Sequence, residues 1–322
     1  MRVLVTGGNG LIGSRVVRLL CRADHEVTCL LRPGARTERI AGLCCNHVQG
    51  DILDNAALQR ALSGCQAVVH LACPSAWSEI ESPGIGDVVV QGLRNVLDGA
   101  DDETRIVFVS SLAAIGPAAR TERLTETPLR PPRKRPGMAY AYAKMCAEDL
   151  CREASAQGRD VVIVNPAETY GPDDDRLVTA GNLIGLLQPP LTLVCSGGTC
   201  IAHVDDVAEG IVAALERGSA GERYILGGEN LNHVELARLV LAIAGRRQPI
   251  VTVPNFLFRW ATRAATALGI ALPYDRCIVP YATRYWFADN SKARRDLNVR
   301  FRPARETLEP TLDWLKQAGY VQ

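Results

Sequence analysis

Met1-Arg-Val-Leu-Val-Thr-Gly-Gly-Asn-Gly-Leu-Ile-Gly13 is the stretch that decides the fold. Arg2 to Thr6 reads as a buried parallel strand, Gly7, Gly10 and Gly13 as a glycine-rich turn, and Leu11 onward as a helix with apolar residues at Ile12, Val16, Leu19 and Leu20. In such a unit Gly7 permits the tight turn, Gly10 lets main chain approach a phosphate with no Cβ in the way, and Gly13 lets helix and strand pack closely. The first helical amides, those of Leu11, Ile12 and Gly13, then point back at the turn with the positive end of the helix dipole behind them. That arrangement suits a pyrophosphate.

Working outward, short apolar runs alternate with amphipathic helical stretches: His25 to Leu31, His47 to Gln49, Ala67 to Cys73, Arg105 to Val109 and Val161 to Val164. The alternation predicts an α/β protein with a doubly wound parallel sheet, whose ligands lie at the carboxyl ends of the strands. After the second strand stands Leu31-Arg32, a cation where an acidic residue would accept the ribose 2′-hydroxyl of NAD. Arg32 therefore favours the 2′-phosphate of NADP, with Arg36 and Arg39 as alternatives. Asp51, followed by Ile52, sits where a carboxylate accepts the adenine amino group, and Leu71-Ala72 lets the backbone pass close to the cofactor. His70 reads as a packed strand-end histidine. Cys73 is either a small apolar filler beside the cofactor or a thiol facing the substrate.

The fifth strand delivers Ser110 and Ser111. Past a basic proline-rich loop, Arg130-Pro-Pro-Arg-Lys-Arg-Pro136, the stretch Tyr140-Ala-Tyr-Ala-Lys144 opens a helix. Residues four apart share a helix face, which brings the Lys144 ammonium near the Tyr140 phenol. A cation there is expected to lower the phenol's pKa and make it a usable general acid or base, while Ser111 orients a substrate carbonyl. Tyr142 lies off that face.

Thr6-Gly-Gly-Asn-Gly-Leu-Ile-Gly13, Gly50-Asp51, His70-Leu-Ala72, Ser110-Ser111, Tyr140-x-x-x-Lys144, Asn165-Pro166 and His203-Val-Asp-Asp206 stand in the order and spacing of the extended short-chain dehydrogenase/reductases. The chain resembles that family over essentially its whole length, nearest the dihydroflavonol reductase and hydroxysteroid dehydrogenase-like branch. The resemblance implies a Rossmann domain over residues 1–165, completed by roughly 199–228, and a smaller C-terminal α/β substrate lobe from 166–198 and 229–322. It implies Ser111, Tyr140 and Lys144 as the catalytic triad, Lys144 also holding the nicotinamide ribose and Pro166 bordering the nicotinamide. Two residues depart from the family's Arg-Pro-x-Asn-x-Tyr-Gly-Pro segment: Asn165 stands for its arginine and Glu168 for its asparagine. Glu168 either faces the substrate or makes a structural ion pair. His203 is implied to pack and hydrogen-bond, not to catalyse.

A balance of 36 basic against 35 acidic residues gives no bulk field for nucleic acid or membrane, so a small-molecule partner is expected. The 11 cysteines include no Cys-x-x-Cys pair and no histidine at ligand spacing, which excludes a zinc or disulfide framework as the expectation. The direct opening on a strand makes a cytoplasmic protein with reduced thiols the expectation. Later in the chain Asn232 to Gly245 reads as a capped helix, and Asn255 to Leu268 as another, with Phe256, Leu257, Trp260 and Ala264 on one stripe beside Arg259 and Arg263. This second helix is expected to cover the site, with contact to a lipid surface as the other reading. Together these features point to a homodimeric NADP-dependent oxidoreductase, NAD being possible, that interconverts a ketone or aldehyde and an alcohol. The alternatives are a nucleotide-sugar epimerase with retained NAD, whose diphosphate Arg130 to Arg135, Arg276 and Arg284 would bind, or a dinucleotide-binding sensor without turnover.

Overall fold

Val3 and Val5 point to one side of the first strand and Leu4 to the other, and all three are fully buried. Because successive side chains of a strand alternate, such a strand needs helices over both faces. The structure is a computed structural model that describes residues 1–120, 122–127, 135–188, 190–272 and 274–321. Its strands are β1 (Arg2–Thr6), β2 (Glu26–Leu31), β3 (Cys45–Gln49), β4 (Ala67–His70), β5 (Arg105–Val109), β6 (Val161–Pro166), β7 (Glu168–Tyr170), β8 (Thr192–Cys195), β9 (Gly198–His203), β10 (Arg223–Leu226), β11 (Glu229–Asn232), β12 (Ile250–Val253) and β13 (Tyr285–Trp286). The α-helices are α1 (Leu11–Arg22), α2 (Asn55–Leu62), α3 (Gly92–Gly99), α4 (Ala139–Ala156), α5 (Ala180–Leu186), α6 (Val204–Arg217), α7 (His233–Ile243), α8 (Asn255–Ala267), α9 (Val279–Ala282), α10 (Ser291–Asp296) and α11 (Ala304–Gln317).

Seven parallel strands form the main sheet in the order β10-β6-β5-β4-β1-β2-β3. The order reverses at β1, so the crevice beyond its carboxyl end is the place where such sheets bind ligands. On one face Val3, Val5, Val69 and Val107 pack with Val16, Val17 and Leu20 of α1 and Val207 and Ile211 of α6. On the other, Leu4, Val68, Ile106 and Phe108 meet Leu58 of α2, Leu93 of α3 and Ala143 and Ala147 of α4. Each fully buried aliphatic side chain contributes about 1.5–3 kcal/mol, so the sheet is clamped from both sides.

Two strand ends differ from the sequence expectation for a visible reason. β4 stops at His70, not Cys73, because β1 ends at Thr6. Beyond it, Leu71 N donates to the Thr6 carbonyl at 3.1 Å and Ala72 N to Thr6 Oγ1 at 3.2 Å, closing the edge as a turn. β6 runs on to Pro166 because β10 pairs with it as far as Pro166 opposite Leu226. Away from the main sheet, β9 carries β11, β13 and β7, and β8 pairs with β12. α7 starts on a capping box in which Asn232 Oδ1 accepts from Val234 N and Glu235 N at 3.0 Å, and Glu235 Oε2 accepts from Asn232 N at 2.8 Å. A cap of this kind contributes about 1 kcal/mol.

Candidate active site

The glycine turn sits at the carboxyl end of β1. Gly7 has φ +70°, and a Cβ there would come within 2.9 Å of the Ala72 amide nitrogen, so its lack of a side chain lets two strand ends converge. At Gly13 a Cβ would fall 2.1 Å from the Gly7 carbonyl oxygen, which is what allows α1 to sit on the turn. Gly10 caps α1 with no side-chain hydrogen bond, and the first turn holds no acid. The amides of Leu11, Ile12 and Gly13 and the helix dipole are therefore left for an anion, and a dinucleotide pyrophosphate fits this cradle.

Around it stand the other cofactor candidates. Asp51 is half-buried, and its Oδ1 accepts from Leu53 N at 2.9 Å. Ile52 turns its side chain into the core against Gly92, so what it offers a ligand is main chain. Of the three arginines after β2, Arg36 lies 3.7 Å from Asp175 and Arg39 is paired with Asp175 and donates to the Asn9 carbonyl at 3.3 Å. Arg32 is exposed and, among the described residues, carries no ion pair. Pro166 is buried at the end of β6.

The catalytic candidates meet on α4 and at the end of β5. Tyr140 and Lys144 are one turn apart, with Lys144 Nζ 5.9 Å from the Tyr140 ring centroid. Lys144 is buried, donates to the Val109 carbonyl at 2.8 Å and lies 4.8 Å from the Phe108 ring centroid. Ser111 caps the short turn after β5 by accepting from Ala113 N at 3.2 Å, and its side chain faces the Tyr140 phenol closely enough to pull the phenol's pKa down. The sequence expectation that Lys144 lowers the phenol's pKa is not what this site does. Burial, reinforced by the neighbouring Cys73 and Tyr281, pushes Tyr140 up, against a smaller downward pull from Ser111. The phenol is held in its protonated form. Tyr142 points elsewhere, hydrogen-bonded to Cys146.

Cys73 lies between these groups. Its thiol donates to the Pro74 carbonyl at 3.2 Å, and burial pushes its pKa up while Lys144 pulls it down. Glu168 makes no ion pair among the described residues; its Oε1 accepts from Tyr170 Oη at 2.6 Å and Asn182 Nδ2 at 2.8 Å. His70, paired with Thr6 Oγ1 at 2.7 Å and stacked on Phe108, is pushed down to about 3 by burial and by Lys144, so it is a neutral pin between β1 and β4. His203 caps α6 by accepting from Asp205 N at 3.1 Å, beside the pair of Asp206 and Arg302. It is a packing element. The basic residues 130–134 lie outside the described residues.

One cluster escaped the sequence reading. Buried Glu148, four residues after Lys144, accepts from Ser110 Oγ at 2.5 Å and Asn165 Nδ2 at 2.6 Å and is paired with Arg223 of β10. Asn165 Nδ2 also donates to the Ser111 carbonyl at 2.8 Å. The cation absent at position 165 is thus supplied across the sheet by Arg223, and the network fixes the backbone of Ser111. The signal was a carboxylate on the same helix face as Tyr140 and Lys144. Trp77, Tyr281 and Trp286 stack beside Tyr140, Trp77 to Tyr281 edge-on at 5.6 Å and Tyr281 to Trp286 at 5.9 Å.

Comparison with known proteins places this geometry. The model of the NAD dependent epimerase/dehydratase family matches residues 3–227. The chain is 31% identical to a Synechocystis sp. protein named for dihydroflavonol 4-reductase, over 99% of this chain and 95% of that one. It is 29% identical to the 4-hydroxy-2-methyl-3-oxo-4-farnesyl-3,4-dihydroquinoline-1-oxide ketoreductase of Stigmatella aurantiaca, over 99% and 97%. Among solved structures, a nucleoside-diphosphate-sugar epimerase from Pseudomonas aeruginosa shares the fold, with TM-score 0.79 and 24% identity over 100% of this chain and 99% of that one.

Proposed function

The chain belongs to the NAD dependent epimerase/dehydratase family, and from that premise we propose that it is an NADP-dependent oxidoreductase interconverting a ketone or aldehyde and an alcohol. The observation that carries this reading is the placement of the Tyr140 phenol, beside Ser111 and one turn from Lys144, whose Nζ lies 5.9 Å from the phenol ring centroid. A nicotinamide dinucleotide held on the glycine turn would supply the hydride for such a reduction. Tyr140 gives its proton to the carbonyl oxygen as negative charge develops there, and Ser111 donates a hydrogen bond to the same oxygen. Lys144, anchored by the Val109 carbonyl, keeps a positive charge under the phenol as the proton leaves. The glycine turn fits the pyrophosphate, and unpaired Arg32 supports NADP over NAD. The reductase and ketoreductase relatives support reduction as the chemistry.

The test is NADPH oxidation against a panel of ketones, aldehydes and nucleotide sugars, repeated with NADH. Tyr140→Phe is expected to lower kcat by about 10²–10⁴-fold and to leave NADPH binding near wild type. Wild-type turnover in that variant removes Tyr140 from the mechanism. Isomerisation of a nucleotide sugar without net cofactor consumption replaces the proposal with an epimerase.

A further inference from the structure

We propose that the outward face of α8 docks on an anionic lipid surface. The helix is turned inside out relative to one that covers a core. Of its residues Thr262 alone is buried, and apart from the stacking of Phe258 on Tyr274 at 5.3 Å the side chains that hold it in place are polar. Asn255 Nδ2 donates to the Ser196 carbonyl at 2.8 Å, Arg259 donates to Thr283 Oγ1 at 3.0 Å and 2.5 Å, and Thr262 Oγ1 pairs with Tyr274 Oη at 2.9 Å. The opposite face presents Phe256, Leu257 and Trp260, exposed by 74%, 43% and 66%, and the turn after the helix adds Leu268 and Ile270 at 74% and 57%. In β12, the strand that leads into the helix, Val251 is exposed by 44% opposite Leu193 of β8, exposed by 55%. Large apolar side chains gathered in this way on a surface mark an interaction site.

Charge selects the occupant. α8 itself holds no Asp or Glu and carries Arg259 and an exposed Arg263, in a chain whose total charge is balanced. An apolar stripe with Trp and Phe, bordered by arginine and free of acid, is the pattern of a helix that lies in a lipid interface. A second copy seated on the same face would set these cations against their own images, which disfavours self-association there. At 13 residues α8 is too short to span a bilayer, which takes about 20. Among the described residues no helix is long and apolar enough to cross a membrane. The docking is therefore in the interface plane, with Trp260 at headgroup depth.

Co-sedimentation with mixed phosphatidylcholine–phosphatidylglycerol vesicles, against pure phosphatidylcholine, tests this on the full chain. The wild type is expected to bind the anionic vesicles, to be released by salt, and to shift its tryptophan emission to the blue, a shift lost in Trp260→Phe while binding persists. The double variant Phe256→Ser/Trp260→Ser is expected to lose about tenfold or more in binding, and Arg263→Gln about fivefold, both keeping the wild-type melting temperature. If the double variant fails to fold, Arg263→Gln and the Trp260 emission decide the matter alone. No preference of the wild type for anionic vesicles, or undiminished binding in both variants, overturns the proposal. So does a wild-type oligomer that the double variant converts to monomer without any vesicle binding, since a second copy then covers the face.

Discussion

The crevice at the glycine turn and the outer surface at α8 are both rich in apolar side chains, and they treat them in opposite ways. At the crevice every apolar residue of β1 and β4 is closed off between helices. Several of its polar groups are locked to a partner, Thr6 to His70, Lys144 to Val109 and Glu148 to Arg223, while Asn165 Oδ1 and Tyr281 Oη are buried without a hydrogen-bond partner among the described residues. At α8 Asn255, Arg259 and Thr262 face in beside the Phe258–Tyr274 stack, while Phe256, Leu257 and Trp260 face out. A helix whose inward contacts are hydrogen bonds is held weakly by them, since each is worth about 1 kcal/mol net. Beyond the Phe258–Tyr274 stack, the large apolar side chains of α8 are left outside the fold, and the difference separates a region built to be rigid from one built to meet something.

The sharpest way to break this comparison is to crowd the crevice. Gly13→Ala places a methyl group 2.1 Å from the Gly7 oxygen and 3.0 Å from Gly8 Cα, both backbone atoms that cannot step aside. The variant is expected to lose about 3–4 kcal/mol of stability, read from urea midpoints, together with measurable NADPH binding. Gly185→Ala in α5, where a Cβ meets no atom within 4 Å, is the control. It is expected to gain about 0.5–1 kcal/mol. A mild effect at Gly13 means that the turn yields and that its close packing is not what shapes the cradle.

The next effect is set by pH. The His70 ring takes up a proton near its ordinary 6.5 in the unfolded chain and near 3 in the folded one. Between those values protonation favours the unfolded chain. The stability that neutral His70 contributes is complete above about pH 6.5 and is lost as pH falls, by about 1.4 kcal/mol at about pH 5.5. Urea midpoints across that interval check it. His70→Gln, which cannot ionise, is expected to show a flatter acid limb than the wild type. An equally steep limb in that variant assigns the loss to other groups.

The crevice was legible in the sequence because its constraints are local. Gly7, Gly10 and Gly13 mark a turn that few other residues can make, and Tyr140 and Lys144 declare their shared face through helix spacing alone. What stayed hidden depends on contacts between distant segments. Nothing in Glu148 or Arg223 taken singly says that they meet across the sheet, and nothing in Tyr140-x-x-x-Lys144 says that burial leads in pushing the phenol's pKa up. Glu168 belongs to the same class, since its partners Tyr170 and Asn182 come from two elements. The stripe on α8 was read correctly as a stripe. Periodicity records that apolar residues share a face but not which way the face points.

That direction supports the smallest prediction, one that compares two positions on the same helix. Trp260 is 66% exposed, so Trp260→Ser removes little buried surface and is expected to change stability by no more than about 0.5 kcal/mol. Thr262, 5% exposed, donates to the Phe258 carbonyl at 2.9 Å and pairs with Tyr274 Oη. Thr262→Val keeps the shape and deletes the hydroxyl, which leaves that phenol without its partner and costs about 1 kcal/mol. In an ordinary amphipathic helix the order is reversed, the tryptophan costing several kcal/mol and the threonine almost nothing. Thermal melts of the two variants read that order directly. If Trp260→Ser proves the more damaging, α8 closes inward over the site in solution, and its apolar face belongs to the core after all.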